Sequence, residues 1–219
     1  MPIEGTAHNL AVIAVESRYV GQAHKVAQSM WGAGQMMFNK YMIVASAEHN
    51  IRDFAMLGRL LRRANVERQV IRAEGILDVL DHATATCGFG GKLAFDLTGI
   101  DPYSEVEPIA VPRTAEPKGG VALFDTRFTE EYGLLILHAE ESRPVEVDVE
   151  AYLEHNNIRG VKYVALFDYQ AAGVMTPNDL LWLAMANSDP RRDVVRLKGG
   201  ELLLDARSKH PGVGANPKR

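Results

Sequence analysis

Side chains able to do chemistry are few in this sequence, and their spacing builds no local site. The one cysteine, Cys87, has no second thiol with which to form an intramolecular disulfide or a metal site, and it is interpreted as a packed or loop residue. No histidines have the four-residue spacing beside a carboxylate that a helical zinc site needs. The histidines are His8, His24, His49, His82, His138, His155 and His210. We therefore expect no metal held by this chain alone, and spacing assigns no catalytic residue.

Two glycine-rich stretches raise the question of a nucleotide site, because glycine lets a backbone approach a pyrophosphate at a helix N-terminus. Gly32-Ala33-Gly34 lies late in a helical pattern, and the run from Gly88 to Gly91 leads into a strand. Neither stretch stands between a strand and a helix. Close packing or a turn is therefore the favoured interpretation, and a nicotinamide-dependent dehydrogenase is disfavoured.

Apolar strands and amphipathic helices alternate along the chain and must position any site. Apolar residues recur at helical spacing from Val20 to Trp31, and Asn50 is placed as the N-cap of a second helix. A short helix is expected over 149–155. The predicted strands are 9–16, 40–46, 69–72, 92–97, 121–124 and 134–138. This alternation predicts an α/β fold with a mostly parallel sheet and helices on both faces.

A weak internal repeat divides the chain into two related strand-helix-strand units. The matching segments are 40–44 with 162–166, 67–70 with 192–195, and 90–96 with 199–205. Four prolines between positions 102 and 117 mark a linker. We therefore predict a first unit over 1–100, a linker over 101–120, and a second unit over 121–219 that ends in a loose tail.

Composition and charge exclude several classes of protein. Hydrophobic residues make up 47% of the 219 positions, which is ample for a buried core. The formal charge of −4 provides no basic face for nucleic acid. No apolar run approaches the roughly 20 residues that span a bilayer, and residues 1–8 lack the pattern of a leader peptide. We expect a cytoplasmic globular protein with no transmembrane segment and no nucleic-acid partner.

Several stretches resemble the C-terminal region of the UbiD-like decarboxylase family, and most closely its long members associated with menaquinone biosynthesis. They are PIEGTAHNL (2–10), YVGQAHKVAQSMWGAGQMMFNK (19–40), LDVLDHATATCGFGGKLAFD (77–96), DLLWLAMANSDPRRD (179–193) and LDARSKHPG (204–212). The run WGAGQMMFNK is the most specific of these signals. Residues 101–159 carry no such match.

The resemblance implies one part of a carboxy-lyase that removes carbon dioxide non-oxidatively from an aromatic or conjugated acid in ubiquinone or menaquinone biosynthesis. Such a reaction leaves a carbanion, whose charge prenylated FMN delocalises. The family holds the flavin phosphate with a divalent metal, manganese, and a monovalent cation, in a domain that precedes this one. The resemblance therefore implies a flavin-binding domain or subunit as partner, no cofactor on this chain alone, and no activity of this chain alone.

The resemblance also implies a Rossmann-like fold that contributes to a homo-oligomer and closes one side of the active-site cleft. Lys40 matches the lysine that approaches the flavin phosphate in relatives, a contact that suits a point charge at a strand end. Without the resemblance, Lys40 is interpreted as an exposed charge flanking a strand. The segment 80–91 matches a loop near the substrate pocket, and His82, Phe89 and Lys92 are therefore expected to line that pocket.

The sequence also departs from the family at two strand ends. Many relatives carry an acidic run after the first strand, where this chain has residues 45–49, and the segment 167–170 of the second unit is likewise depleted in carboxylates. Roles that depend on those carboxylates are not carried over. A second hypothesis is a stand-alone α/β binding or oligomerisation module without catalysis.

Overall fold

The computed structural model describes residues 10–79, 81, 83–140, 146–168 and 184–207, which form two β-sheets flanked by helices. The first sheet contains β1 (Leu10–Val15), β2 (Tyr41–Ser46), β3 (Val70–Ile76) and β4 (Phe89–Leu97), in the order β1-β2-β4-β3. β1, β2 and β4 run parallel, and β3 is antiparallel to β4. Every residue of β2 is buried, which explains why its sequence is a continuous apolar run.

Helices cover both faces of the first sheet. α1 (Gln22–Trp31) packs on one face and α2 (Phe54–Arg63) on the other, since they belong to separate hydrophobic clusters that contain alternate residues of β2. A short 3-10 helix, Gly34–Phe38, leads from α1 to β2. The expectation of helices on both faces holds for this sheet.

The N-terminus of α2 differs in detail from the sequence-based expectation. Asp53 caps the helix, because its side chain accepts a hydrogen bond from the amide of Ala55 at 2.9 Å. Asn50 accepts from the amide of Arg52 at 3.2 Å, in the turn before the helix. The predicted cap at Asn50 is therefore wrong by three residues, because both side chains can close a local turn with the backbone.

The second sheet contains β5 (Val121–Asp125), β6 (Leu134–Ala139), β7 (Tyr163–Asp168), β8 (Val194–Arg196) and β9 (Leu202–Asp205). Its strand order is β5-β6-β7-β9-β8. β6, β7 and β9 run parallel, whereas the edge strands β5 and β8 are antiparallel to their neighbours. Both sheets are therefore mixed.

Two further helices belong to the second unit. α3 (Thr129–Tyr132) is a single turn between β5 and β6, and α4 (Val149–His155) has the bounds predicted for it. Asp148 caps α4 by accepting a hydrogen bond from the amide of Ala151 at 2.9 Å. α4 buries Val149, Tyr152 and Leu153 in the core of the second sheet.

The α/β class predicted from the sequence is confirmed, but two mixed sheets replace the mostly parallel sheet that was expected. The reason lies in the connections. Residues 197–201 join β8 to β9, and five residues are too few for the crossover that parallel neighbours require. β3 and β4 are joined by residues 77–88, which contain no helix among the residues described, and these strands are also antiparallel.

The internal repeat has a counterpart in the two sheets. The order β1-β2-β4-β3 has the same form as β6-β7-β9-β8, with matching strand directions. Tyr41 pairs with Leu93 in the first sheet, and Tyr163 pairs with Leu202 in the second, as the sequence alignment of the repeat requires. In β3 and β8 the alignment is wrong by one position, because Val70 corresponds to Val194 rather than to Val195.

The two units contact each other reciprocally. The hydroxyl of Tyr41 in β2 lies 2.5 Å from the hydroxyl of Ser188 in the second unit. The hydroxyl of Tyr163, the equivalent residue in β7, donates to the carbonyl of Leu61 in α2 at 2.9 Å. Equivalent tyrosines of the two units thus each contact the opposite unit, although their partners differ.

Two arginines at equivalent positions of β3 and β8 repeat this exchange. Arg72 donates to the carbonyl of Pro190 at 2.9 Å, and Arg196 pairs with Glu67 at 3.1 Å. A shared hydrophobic cluster closes the interface between these contacts; its buried members are Tyr41, Leu93, Met185, Val194 and Leu202. The two units therefore share a core.

No helix among the described residues is long and apolar enough to cross a membrane.

Candidate functional site

The candidate site lies at the N-terminal ends of β2 and β4, where the first unit meets the second. Lys40 immediately precedes β2 and is completely buried, with 0% of its surface exposed. Its ammonium forms an ion pair with Asp81, whose carboxylate also accepts the amide of Ala83 at 3.0 Å. The interpretation of Lys40 as an exposed flanking charge is therefore wrong.

Two further carboxylates face Lys40 from the second unit. Burial lowers the pKa of Lys40 below its ordinary value, while Asp81, Asp189 and Asp193 raise it by stabilising the charged form. An ammonium taken out of water needs such partners, because an unpaired buried charge is strongly unfavourable. The pair thus holds the Lys40 charge inside the protein.

Tyr41 extends this buried polar cluster. Its hydroxyl contacts Ser188, whose own hydroxyl donates to the carbonyl of Ala184 at 2.5 Å. Burial raises the pKa of Tyr41 well above its ordinary value. The phenol is therefore neutral over the physiological range and acts as a hydrogen-bonding group at the junction of the two units.

Lys92 in β4 occupies a second buried position. Its ammonium donates to the carbonyls of Met37 and Asn39, both at 2.7 Å, and lies 5.9 Å from the ring centroid of Trp31. Burial lowers the pKa of Lys92 to about 8. An amine held by neutral groups loses its proton more readily than one paired with a carboxylate.

Unpartnered polar atoms surround Lys92. Asn39 is 1% exposed, and within the described part of the chain neither its amide nitrogen nor its amide oxygen has a hydrogen-bond partner. The buried indole N–H of Trp31 likewise has no hydrogen-bond partner among the residues that the structure describes. Buried polar groups are normally satisfied, and exceptions are concentrated where function or a further partner demands them. The neighbourhood of Lys92 therefore has spare donor and acceptor capacity.

Phe89, the first residue of β4, lies at the surface of this edge. It is 41% exposed, and the guanidinium of Arg191 stacks 5.7 Å from its ring centroid. Phe89 pairs with Ile76 across the β3–β4 ladder, and Ile76 and Val79 are each about half exposed. These three side chains form an apolar edge, defined here as Ile76, Val79 and Phe89. His82, the remaining predicted pocket residue, lies outside the described residues.

The equivalent position of the second unit lacks this cluster. Lys162, the counterpart of Lys40, donates to the carbonyl of Ala64 at 3.3 Å. The residue aligned with Lys92 is Glu201, and the residues aligned with Asp189 and Asp193 are Asn65 and Gln69. Chemistry-bearing side chains are therefore concentrated at the Lys40 end of the junction.

The arrangement limits what this chain can do chemically. Among the residues that the structure describes, no three His, Cys, Asp or Glu side chains are grouped so as to hold a metal ion. The ammonium of Lys40 is engaged with Asp81, so a contact with a flavin phosphate requires that ion pair to open. Lys40 therefore cannot contact a flavin phosphate in this conformation.

Sequence reasoning missed the three carboxylates of the cluster. Asp81 lies 41 positions from Lys40 along the chain, and Asp189 and Asp193 belong to the other unit, so no local spacing connects them. The nearest signal in the sequence is the turn Asp-Pro-Arg-Arg-Asp at 189–193, which belongs to one of the stretches that resemble the family. Such groups meet only through the packing of the two sheets.

Comparison with protein families finds a match over the N-terminal part of the chain. The model of the 3-octaprenyl-4-hydroxybenzoate carboxy-lyase C-terminal domain, UbiD_C, matches residues 1–97. Residues 1–97 of this chain are therefore similar to the UbiD C-terminal domain family, in agreement with the resemblance of their motifs.

Curated relatives are considerably longer than this chain. An uncharacterized protein of Aquifex aeolicus is 37% identical over 102 residues, which cover 45% of this chain and 20% of that protein. An uncharacterized protein of Helicobacter pylori is 26% identical over 220 residues, which cover 95% of this chain and 35% of that protein. The chain thus spans about a fifth to about a third of the length of these relatives.

Similar solved structures overlap only in part. The UbiD-class enzyme HmfF from Pelotomaculum thermopropionicum, in complex with FMN, is 23% identical with a TM-score of 0.38 and covers 48% of this chain and 24% of its own. Vanillic acid decarboxylase from Sedimentibacter hydroxybenzoicus, in its closed form, is 23% identical with a TM-score of 0.38 and covers 49% and 23%. The similarity to the family therefore rests on the match of the family model to residues 1–97.

Proposed function

We propose that this chain is the assembly and active-site-closing part of a prenylated-flavin-dependent, non-oxidative aromatic acid decarboxylase of quinone biosynthesis. The observation that carries the proposal is the match of residues 1–97 to the C-terminal domain of a carboxy-lyase family. The flavin-binding domain, with its metal ligands and proton-handling groups, is the partner in this proposal and lies outside the chain.

The apolar edge is the proposed contact with that partner. Ile76, Val79 and Phe89 are exposed, and a cluster of exposed apolar side chains is typical of a docking or ligand-binding surface. A closing element needs such a face, because exclusion of water strengthens the electrostatic interactions of the enclosed site.

In the complete enzyme the cofactor is prenylated FMN held with manganese. The prenylated FMN supplies the electron sink for decarboxylation. Lys40 is the residue of this chain proposed to approach the flavin phosphate, after its ammonium leaves Asp81. His82, Phe89 and Lys92 are proposed to line the substrate pocket. The unpartnered amide of Asn39 beside the Lys92 contact gives that region capacity for a further hydrogen bond.

Reconstitution tests this division of labour. The flavin-binding part, this chain, and the two combined are each supplied with prenylated FMN and manganese, and release of carbon dioxide from aromatic acids is measured. We expect turnover only from the combination. Turnover by this chain alone contradicts the proposal, as does equal turnover by the flavin-binding part with and without this chain.

Lys40→Ala in the combined enzyme tests the cofactor contact. Flavin retained through gel filtration is expected to fall, since one cation near the phosphate is lost. Lys162→Ala is the matched control at the equivalent position of the second unit and is expected to retain the flavin. Equal retention by both variants removes Lys40 from the site.

A stand-alone α/β binding or oligomerisation module without catalysis is the second candidate. The observation in its favour is the complete burial of Lys40 and its pairing with Asp81, which satisfies the ammonium within the chain. A flavin-binding domain encoded upstream, in frame or as a separate subunit, supports the decarboxylase. The reconstitution described above separates the two.

Assembly and location complete the proposal. We propose a homo-oligomer in the cytoplasm, because the resemblance implies a domain that contributes to assembly and the sequence predicts a cytoplasmic globular protein. Sedimentation velocity on the purified chain tests the oligomeric state, with a monomer at micromolar concentration as the contradicting result.

Fractionation of cells tests the proposed location, with recovery in the membrane pellet as the contradicting result.

A further inference from the structure

The turn from Asp189 to Asp193 in the second unit contacts the first unit at several points. The carboxylate of Asp189 is buried and accepts the amide of Gly91 in β4 at 2.9 Å. An added Cβ at Gly91 would lie 2.5 Å from the amide nitrogen of Arg191, so the glycine permits this approach. The carbonyl of Pro190 accepts a hydrogen bond from Arg72 in β3. Backbone and side chains of the turn therefore both face the β3–β4 ladder.

Two arginines of this turn make further contacts, one at the protein surface and one with the connection between β3 and β4. Arg191 stacks on Phe89 and lies 3.5 Å from the carboxylate of Glu74. Arg192 donates to the carbonyl of Ala83 at 3.1 Å. Ala83 in turn donates its amide to Asp81, the partner of Lys40. The turn thus reaches the Lys40 ion pair through a chain of hydrogen bonds.

The turn is itself held rigid by its own carboxylates. Asp193 accepts the amide of Asp189 at 2.8 Å and pairs with Arg192 at 2.9 Å. Asp189 accepts the amide of Arg191 at 3.1 Å and pairs with its guanidinium at 2.9 Å. A turn whose polar groups satisfy each other can hold a neighbouring segment in one conformation.

We propose that the turn Asp189–Asp193 is a positioning latch, through which the second unit fixes the described residues of the β3–β4 connection and the ammonium of Lys40. The turn donates no group to a reaction and acts through Asp81, Gly91 and Lys40. Its role in catalysis rests on the proposed function, but the latch itself is defined by contacts within this chain.

Hydrogen exchange on the full chain tests the latch directly. In Asp189→Ala, the amide of Gly91 and peptides covering 83–91 are expected to exchange about tenfold faster, because an anchoring hydrogen bond is lost. Peptides covering β2 are expected to keep their protection. Asp189→Asn retains an acceptor for Gly91 and is expected to restore most of the protection.

The matched control is Glu67→Ala, which breaks the exposed pair with Arg196 at the equivalent turn of the first unit and is expected to leave 83–91 unchanged. Arg192→Gln, which removes the bond to Ala83 from a partly exposed side chain, serves if Asp189→Ala does not fold, and the same local increase is expected. Unchanged exchange over 83–91, or an equal increase in β2, overturns the proposal.

The titration midpoint of Lys40 can be measured by NMR of its ¹³Cε. This midpoint is expected to change only if the turn acts on the Lys40 ammonium, and not if the turn merely stabilises the fold. The charged groups that act on Lys40 are Asp81, Asp189 and Asp193. In Asp189→Asn the midpoint of Lys40 is expected to shift to lower pH, because one stabilising carboxylate is lost. Lys92 is the internal control, since burial alone lowers its pKa.

An unmoved Lys40 midpoint, or equal shifts of both lysines, overturns the proposal. Neither measurement requires turnover. The latch can therefore fail while the proposed decarboxylase stands, and the decarboxylase can fail while the latch stands.

Discussion

Lys40 and Asp81 illustrate what a buried charge demands of its surroundings. Both side chains are at most 4% exposed, so each charge loses its hydration free energy on burial. The attraction between the two charges offsets this loss. We predict that Asp81→Ala lowers the free energy of unfolding by roughly 3–5 kcal/mol, because it leaves an ammonium unpaired in the interior. Urea unfolding followed by circular dichroism measures this loss.

The exposed pair of Arg18 and Glu16 is the control, and Arg18→Ala is expected to cost about 0–1 kcal/mol. The double variant Lys40→Met/Asp81→Leu is expected to recover most of the stability lost by Asp81→Ala, since it removes both charges. If Asp81→Ala costs no more than Arg18→Ala, the ion pair is not buried in solution.

Lys92 makes the stability of the protein depend on pH. Its pKa is about 8 in the folded protein against 10.5 ordinarily, so between these values the unfolded chain binds more protons. The free energy of unfolding contributed by this group therefore rises as the pH increases from 8 to 10.5. We predict that Lys92→Met removes this rise.

Urea midpoints of the wild type and of Lys92→Met, measured at half-unit steps from pH 7 to pH 10.5, isolate the effect as a difference. Other titrating groups, including Lys40, are common to both proteins and cancel. A difference that is constant across the range would show that Lys92 titrates normally.

The sequence pointed to some of these residues and not to others. Lys40 and Lys92 stand at the starts of apolar strands. The resemblance matches Lys40 to a lysine of the family and places Lys92 beside a loop near the substrate pocket. Their burial was not foreseen, because Asp81 and Asp189 become partners only when the loop and the second unit fold over the strands. Long-range pairing of this kind leaves no periodic trace in a single sequence.

At the scale of elements, the contact between β4 and the turn of the second unit requires a glycine at position 91, which has no side chain. An added Cβ at Gly91 would meet the amide nitrogen of Arg191 at 2.5 Å and the carboxylate of Asp189 at 2.7 Å. We predict that Gly91→Ala destabilises the protein by about 1–3 kcal/mol, because backbone must shift to relieve the overlap. Thermal or urea unfolding measures the loss.

Gly32→Ala provides the comparison. Its added Cβ would lie 3.4 Å from the nearest atom, and Gly32 has a negative φ, so we expect a change within about 0.5 kcal/mol. Equal stability of Gly91→Ala and Gly32→Ala would mean that the turn does not pack against β4 as described.

The elements themselves were largely predictable, and the exceptions have local causes. The alternation of apolar runs placed β1, β2 and α4 well, since each buries a periodic face. The helix cap was wrong because Asn50 and Asp53 compete for similar roles. The antiparallel edges β3 and β8 were not foreseen, because strand direction is set by connection length and packing rather than by strand composition.

At the scale of the whole molecule, the reciprocal contacts of Tyr41 and Tyr163 couple the two sheets. Because the units share a buried cluster, we predict that β2 and β7 lose hydrogen-exchange protection at the same urea concentration. Tyr163→Phe removes the hydrogen bond to Leu61. It is expected to lower the free energy of unfolding by about 1 kcal/mol and to shift both urea midpoints down together.

Tyr103→Phe is the control, because Tyr103 is largely exposed and its hydroxyl forms no hydrogen bond among those found in the described part of the chain. It is expected to leave both midpoints in place. Separate midpoints for β2 and β7 would show that the two units fold independently, and the account of a shared junction would then fail.

The similarity to the family over residues 1–97 and the α/β class were accessible from sequence, whereas the division into two mixed sheets was not. Motifs such as WGAGQMMFNK are specific in context, and the family model confirms them over residues 1–97. The repeat in the sequence was weak, but its alignment of Tyr41 with Tyr163 agrees with the strand register. Only the fold shows that the repeated units face each other.

The structure of the complete enzyme with its flavin tests the central claim most directly. The account predicts that the edge formed by Ile76, Val79 and Phe89 is covered by the flavin-binding domain, with Lys40 on the side of the flavin phosphate. An edge that faces solvent, with the flavin enclosed entirely by other parts of the enzyme, would contradict it.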